Sequence, residues 1–300
     1  MKAIEEISSL RFIFILLIVL HHTVSYTGGG YLGVAFFFML GGFVMTLGYR
    51  DRILGGDFSY RAFILRRAKK YYPLHWICLA AVLVLLVYTH AIGKDRVGTL
   101  LVNASLLQSW VPVKSVYFSF NAPSWFLSDM LFFVALFPLL LKGITAILRS
   151  KRGSVALLIA LVAGYLALFF TLKEESRHYV LYIFPLVRLM DFVLGIFTAH
   201  FFLSIRKKET ALPVPALKVL MYGSLALLIL LSLVLPTRYL MCSLLFAPLI
   251  ATLLILTSLE SVGKRSLFSW KPLVYLGSFS FEIYMLHGVI LRYLEYYGIL

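Results

Sequence analysis

An all-α bundle of about nine or ten membrane-spanning helices is the fold this sequence predicts. Hydrophobic residues fill 61% of the 300 positions and charged ones only 14%, against roughly a quarter charged in a soluble domain. The apolar residues fall in runs of the length a bilayer requires, about 20 residues each. Between the runs, basic residues crowd into alternate loops, as the positive-inside bias demands. A net charge of +15 would point to nucleic acid in a soluble protein. With the cations confined to loops it reads instead as a topology signal and attraction to anionic lipid, and no nucleic-acid partner is expected.

Nine spans can be drawn, over 9–26, 31–50, 72–90, 124–143, 153–172, 180–203, 216–235, 239–258 and 272–293. The loop after the second holds Arg50, Arg52, Arg61, Arg66, Arg67, Lys69 and Lys70, and that after the fourth holds Lys142, Arg149, Lys151 and Arg152. Arg206, Lys207 and Lys208 follow the sixth; Lys264, Arg265 and Lys271 follow the eighth. The opposite loops are poorer, with Lys94, Arg96 and Lys114 in the longest, then Lys173 and Arg177, then Arg238. This alternation places the N-terminus in the cytoplasm. The long outer loop, 91–123, is expected to hold a short interfacial helix over Val97–Trp110. The pattern reads as one integral-membrane domain over residues 1–300, with no internal repeat and no soluble appendage.

The first span carries the chain's most informative stretch, RFIFILLIVLHH at 11–22. Arg11 and His22 are eleven residues apart, about three helical turns, so both lie near one face and roughly 16 Å apart along the axis. Ionisable groups inside a bilayer are costly and usually face a protein interior or a wet cavity. No A-x-A-like cleavage site follows, and His21 and His22 interrupt the run, so it reads as a retained span and not a signal peptide. Arg11 either binds an anionic substrate from the inner side or snorkels to headgroups. His21 points about 100° away from His22 and could serve in its place or face the outer interface.

The second span contains GVAFFFMLGGF at 33–43. Its glycines permit close helix approach, or leave room for a thin acyl arm. At the cytoplasmic entry of the third stand Arg66, Arg67, Lys69 and Lys70, followed by Tyr71, Tyr72, Pro73 and Trp76. Four cations beside aromatics suit a phosphorylated, adenine-bearing ligand such as coenzyme A; the plainer reading is contact with lipid phosphate. Cys78 in the third span and Cys242 in the eighth read as core residues. The fourth span opens with Asn121-Ala-Pro-Ser-Trp125 and places Asp129 in its outer half, at a depth similar to His22. A carboxylate near a histidine fixes its tautomer and steadies the imidazolium, which suits activation of a hydroxyl. In the sixth span Arg188 and Asp191 are at i, i+3, share a face and can pair. The last span carries Glu282 and His287, the latter a weaker candidate base or acceptor binder. Ionisable groups from four helices thus lie at compatible depths, and a polar cavity inside the bundle is expected.

The sequence has no P-loop, GxSxG, HExxH or Cys-rich zinc pattern, which weakens ATP-driven transport and metal-dependent hydrolysis. No metal site is expected.

Taken together, these stretches resemble the membrane-bound acyltransferase family 3, the O-acyltransferases of bacterial surface glycans. The resemblance rests on Arg11-x10-His22, on the 33–43 run, on the basic stretch ending Tyr72-Pro73-Leu74, on Asn121 to Asp129, on RLMDFVLG at 188–195 and on LGSFSFEIYMLH at 276–287. It implies a multi-pass protein of the bacterial cytoplasmic (inner) membrane that moves an acyl group, commonly acetyl, from acyl-CoA to a sugar hydroxyl, with no resident cofactor. It implies catalytic roles for His22, Asp129 and Arg11, with His22 as general base or acyl relay, and donor contacts at Arg66, Arg67, Lys69 and Lys70. The acceptor would then meet Arg188, Asp191, Glu282 and His287. Three positions depart from the family pattern: Lys70 stands where a second arginine is usual, Asp129 where a glutamate is, and Gly41 where a serine is. Nine spans against the family's usual ten leave a final span missing beyond Leu300, a short member, or a span concealed in the long outer loop. The competing reading is a transporter or flippase for a lipid-linked glycan, with no covalent chemistry.

Overall fold

The computed structural model describes residues 5–24, 27–90, 96–206, 212–264 and 266–299. Lys94, Lys207, Lys208 and Arg265 of the loop charge pattern, and the last two residues of the first drawn span, lie outside them. The described residues form helices joined by turns, with no strand among them. In order come α1 (Glu6–Thr23), α2 (Thr27–Gly55), α3 (Tyr60–Tyr88), α4 (Val97–Ala104), α5 (Lys114–Tyr117), α6 (Trp125–Ile147), α7 (Lys151–Thr171) and α8 (Glu174–His178). They are followed by α9 (Pro185–Ile205), α10 (Val214–Val234), α11 (Thr237–Leu240), α12 (Ala247–Ser258), α13 (Glu260–Gly263), α14 (Lys271–Ser278) and α15 (Ser280–Tyr296).

Among the described residues seven helices, α1, α2, α3, α6, α7, α9 and α10, are long and apolar enough to cross a membrane, or up to eight if α14 and α15 count as one bent span. Two of the nine drawn spans therefore need correction. The run 239–258 is not one helix. A turn at Ser243–Leu245 separates α11 from the twelve-residue α12, which starts with a proline in its first turn. Proline has no N–H to donate, so it favours a helix start over a helix interior. The freed backbone is satisfied internally, as irregular chain in an apolar setting requires. Tyr165 Oη donates to the Met241 carbonyl at 2.9 Å and accepts the Ser243 N–H at 3.3 Å, and the Ser243 hydroxyl donates to Asp191 at 2.6 Å. The run 272–293 is likewise broken, bent by 60° between α14 and α15. There the Ser278 hydroxyl donates to the Tyr275 carbonyl at 2.6 Å, an alternative bond of the kind that loosens a helical ladder. The outer loop carries the expected short helix as α4, 97–104, followed by a single 3-10 turn at Gln108–Trp110.

The chain divides into two compact units. Unit 1 is Met1–Asp57, Leu139–Thr171 and Leu189–Ser280; unit 2 is Phe58–Pro138, Leu172–Arg188 and Phe281–Leu300. In unit 1, α1 packs on α2 and α14, and α10 and α12 pack on α2. The Phe14 and Phe36 rings stack at 3.7 Å where α1 meets α2, and the Ser9 hydroxyl donates to the Phe268 carbonyl at 2.6 Å. Helix α2 touches α9 at two glycines. A methyl at Gly42 would strike the Phe192 carbonyl, and one at Gly195 the Met39 carbonyl, so the backbones lie in direct contact.

In unit 2, α3 anchors the outer loop. His75 Nε2 donates to the Asn103 carbonyl at 2.9 Å, and Trp76 Nε1 to the Ala104 carbonyl at 3.1 Å. Helix α15 packs beside α3, with the Tyr293 hydroxyl donating to Ala81 at 2.8 Å. It also clasps the turn before α6: Tyr284 Oη donates to the Pro123 carbonyl at 2.8 Å and Asn121 Nδ2 to the Met285 carbonyl at 3.0 Å. Cys78 and Cys242 are buried, as their apolar surroundings in the sequence imply.

Candidate active site

In unit 1, the last turn of α1 carries both predicted histidines. His21 packs against Gly30 of α2 and meets the Tyr31 ring edge-on at 6.1 Å. His22 is exposed, and its Nδ1 lies 2.8 Å from the Ile18 carbonyl. A carbonyl can only accept, so the proton of neutral His22 sits on Nδ1 and the lone pair on Nε2. That arrangement suits a base, with a local hydrogen bond fixing the tautomer. Arg11 is half-buried near the other end of the same helix. Asp191 on α9 is fully enclosed and holds the Ser243 hydroxyl, so at least one of its oxygens braces the α11–α12 break. The sequence placed it against substrate; that bracing contact was not foreseeable, because Ser243 is remote in the chain.

In unit 2, Asp129 has 0% of its surface exposed and Arg188 1%. The Arg188 guanidinium and the Ser109 hydroxyl are among the polar neighbours of the Asp129 carboxyl. Neither carboxyl oxygen completes a well-formed hydrogen bond among the described residues, since Ser109 Oγ bonds Ser128 Oγ at 2.6 Å. The guanidinium also lies over the Tyr182 ring at 5.7 Å. Tyr182 belongs to a π-helical turn, Tyr179–Ile183, ahead of α9; such turns often mark functional sites. The same turn brings the Tyr179 hydroxyl to the Ser109 carbonyl at 3.2 Å. Burying ionisable groups this deeply costs stability, so their presence argues for chemistry or recognition.

His287, also in unit 2, is buried, and its Nδ1 donates to the Tyr284 carbonyl at 2.6 Å, which leaves Nε2 as the acceptor nitrogen. Glu282 is exposed in the first turn of α15. On α3, Arg66, Lys69 and Lys70 are exposed, while Arg67 lies over the Phe63 ring at 5.7 Å and Lys70 over the Phe281 ring at 6.0 Å. Unit 2 therefore brings Asp129 and Arg188 together and assembles the basic face. His22 belongs to unit 1 and Asp129 to unit 2. Sequence reasoning missed Ser109, Tyr179 and Tyr182, which come from the outer loop and the π turn. The tyrosine-rich stretch just before α9 was the available signal.

Comparison with known proteins decides the chemical class. A family model described as an acyltransferase domain matches residues 4–300. The chain belongs to acyltransferase family 3. This membrane acyltransferase is also similar to a protein named acyltransferase MdmB from Streptomyces mycarofaciens, 28% identical over 278 residues, covering 88% of this chain and 69% of that one. No solved structure matches it. Membership establishes acyl transfer, so a transporter without covalent chemistry no longer accounts for the acyltransferase.

Proposed function

We infer that this acyltransferase moves an acyl group, acetyl by its resemblance to glycan-modifying members, from acyl-CoA to a hydroxyl of a bacterial cell-surface sugar. The observation that carries the reading is His22, whose Nδ1–H is committed to the Ile18 carbonyl, leaving Nε2 basic on an exposed ring. In the proposed reaction the acceptor hydroxyl gives its proton to Nε2 while its oxygen bonds to the thioester carbonyl carbon. The carbon–sulfur bond breaks, and the departing thiolate takes the proton from the imidazolium, so His22 ends neutral. Asp129 is proposed as the carboxylate that steadies the imidazolium, and Arg11 as a donor contact. Arg188, Asp191, Glu282 and His287 are proposed to face the acceptor; of these, Arg188 and His287 have the burial and polarity that suit a sugar best. The protein would work in the cytoplasmic membrane of a bacterium, with lipid around it and the N-terminus inside.

The donor is assigned to the basic face of α3, where three exposed cations and the Arg67 guanidinium offer several phosphate contacts. Replacing Arg66, Lys69 and Lys70 together by glutamine is expected to raise KM for acetyl-CoA roughly tenfold or more, with kcat changed by less than about twofold. Steady-state kinetics in membranes measures both. An unaltered KM would remove acyl-CoA from this face.

A further inference from the structure

Unit 1 contains a cavity that the acyl-transfer reading does not use. We propose that the basic ends of α2 and α9 enclose a second site for a phosphate group, supplied either by the donor or by an anionic lipid headgroup. The two helices are locked together at Gly42 and Gly195. One to three turns further along, their polar ends leave a cavity of about 320 Å³ lined by Thr46, Arg50, His200, Ser204 and Arg206. That is the small end of the range for ligand pockets, suited to a phosphate with a short substituent rather than a whole nucleotide cofactor.

The lining is built for an anion. Thr46 is enclosed, its hydroxyl bonded to the Gly42 carbonyl at 2.8 Å. His200 is steadied by Thr145, whose Oγ1 lies 3.2 Å from the ring Nε2. Arg50 reaches Asp51 through Nη1 at 3.0 Å, and its Nε is buried with no hydrogen-bond partner among the described residues. Burying such a donor unbonded is costly, and an oxyanion beside it removes that cost. Asp51, the one acidic group among the described residues lining the cavity, has a side chain 93% exposed to solvent. An ion pair so exposed contributes little, so it does not hold Arg50 against a phosphate. Arg206 lines the same cavity and supplies a second guanidinium, and guanidinium forks match phosphate oxygens in pairs.

If the phosphate is the donor's, the site depends on acyl-CoA being the donor; if it is a lipid's, it does not. The test uses the full chain with Arg50→Gln/Arg206→Gln, with Ser204→Glu as a single change that places a carboxylate at the cavity mouth, and with Arg149→Gln as a charge control on an exposed residue outside it. Coenzyme A is titrated calorimetrically in neutral detergent. Retained phosphatidylglycerol is counted by native mass spectrometry after release from nanodiscs of phosphatidylcholine and phosphatidylglycerol. A loss of coenzyme A affinity of about tenfold or more in both cavity variants, absent in the control, assigns the phosphate to the donor. Loss of retained phosphatidylglycerol with coenzyme A binding intact assigns it to lipid. Wild-type-like values for both probes in both folded cavity variants overturn the site. A wild-type protein that binds no coenzyme A sinks the donor reading alone, and the lipid arm then decides the cavity.

Discussion

Replacing His22 by alanine is expected to lower acyl transfer by about 10³-fold, with folded protein recovered in wild-type amount. The loss follows from removing the proposed base. Retention of the fold follows from position: His22 is exposed on the last turn of α1, and its hydrogen bond to Ile18 is local. Surface changes without a buried role usually alter stability by under about 0.5 kcal/mol. Asp129→Asn is expected to lower transfer as well, and adding it to His22→Ala should cost little more, because residues that act as one unit are non-additive. Rates measured with labelled acetyl-CoA in membranes of matched protein content check this. Wild-type activity in His22→Ala would remove the histidine from the reaction, and fully additive losses would separate Asp129 from it.

A second large effect concerns the α2–α9 contact. Gly195→Ala and Gly42→Ala are each expected to destabilise the protein by roughly 3 kcal/mol or more, because the added methyl meets a backbone carbonyl that no side-chain rotation can move aside. Gly48, on the same α2 helix, has open space at its Cβ position. There alanine is expected to be neutral or stabilising by about 0.5–1 kcal/mol, since glycine is the poorer helix former. Thermal melts followed by size-exclusion fluorescence in detergent would read all three. Melting of Gly195→Ala at the wild-type temperature would mean that the two helices are not in backbone contact.

Much of this was legible in the chain. Long apolar runs declared α1, α2, α3, α6, α7, α9 and α10, because twenty consecutive apolar residues have few alternatives to a membrane helix. The breaks at Ser243–Leu245 and at Phe279 were not visible, because both lie inside long apolar runs; the first is held by partners distant in sequence, the second by a local bond from Ser278 to Tyr275. Tyr165 and Asp191 satisfy the first break, and neither lies within fifty residues of Ser243. The site was legible in part for the same reason. Arg11 and His22 fall on one helix, where spacing alone fixes their relation. Asp129 drew attention as a lone carboxylate in an apolar span, but its neighbours Ser109 and Arg188 come from segments about twenty and sixty residues away. Asp191 stood out for its i, i+3 spacing from Arg188, while its hydrogen bond from the Ser243 hydroxyl, 52 residues away in the chain, left no mark in the sequence.

The most direct measurement is transfer of label from [¹⁴C]acetyl-CoA in bacterial membranes expressing this chain, followed by separation of the glycan and lipid-linked sugar fractions. The account predicts label in a sugar fraction, released by mild alkali as an O-ester is, and absent when His22→Ala replaces the wild type. Label that stays out of every sugar fraction, or that appears equally with His22→Ala, would contradict it.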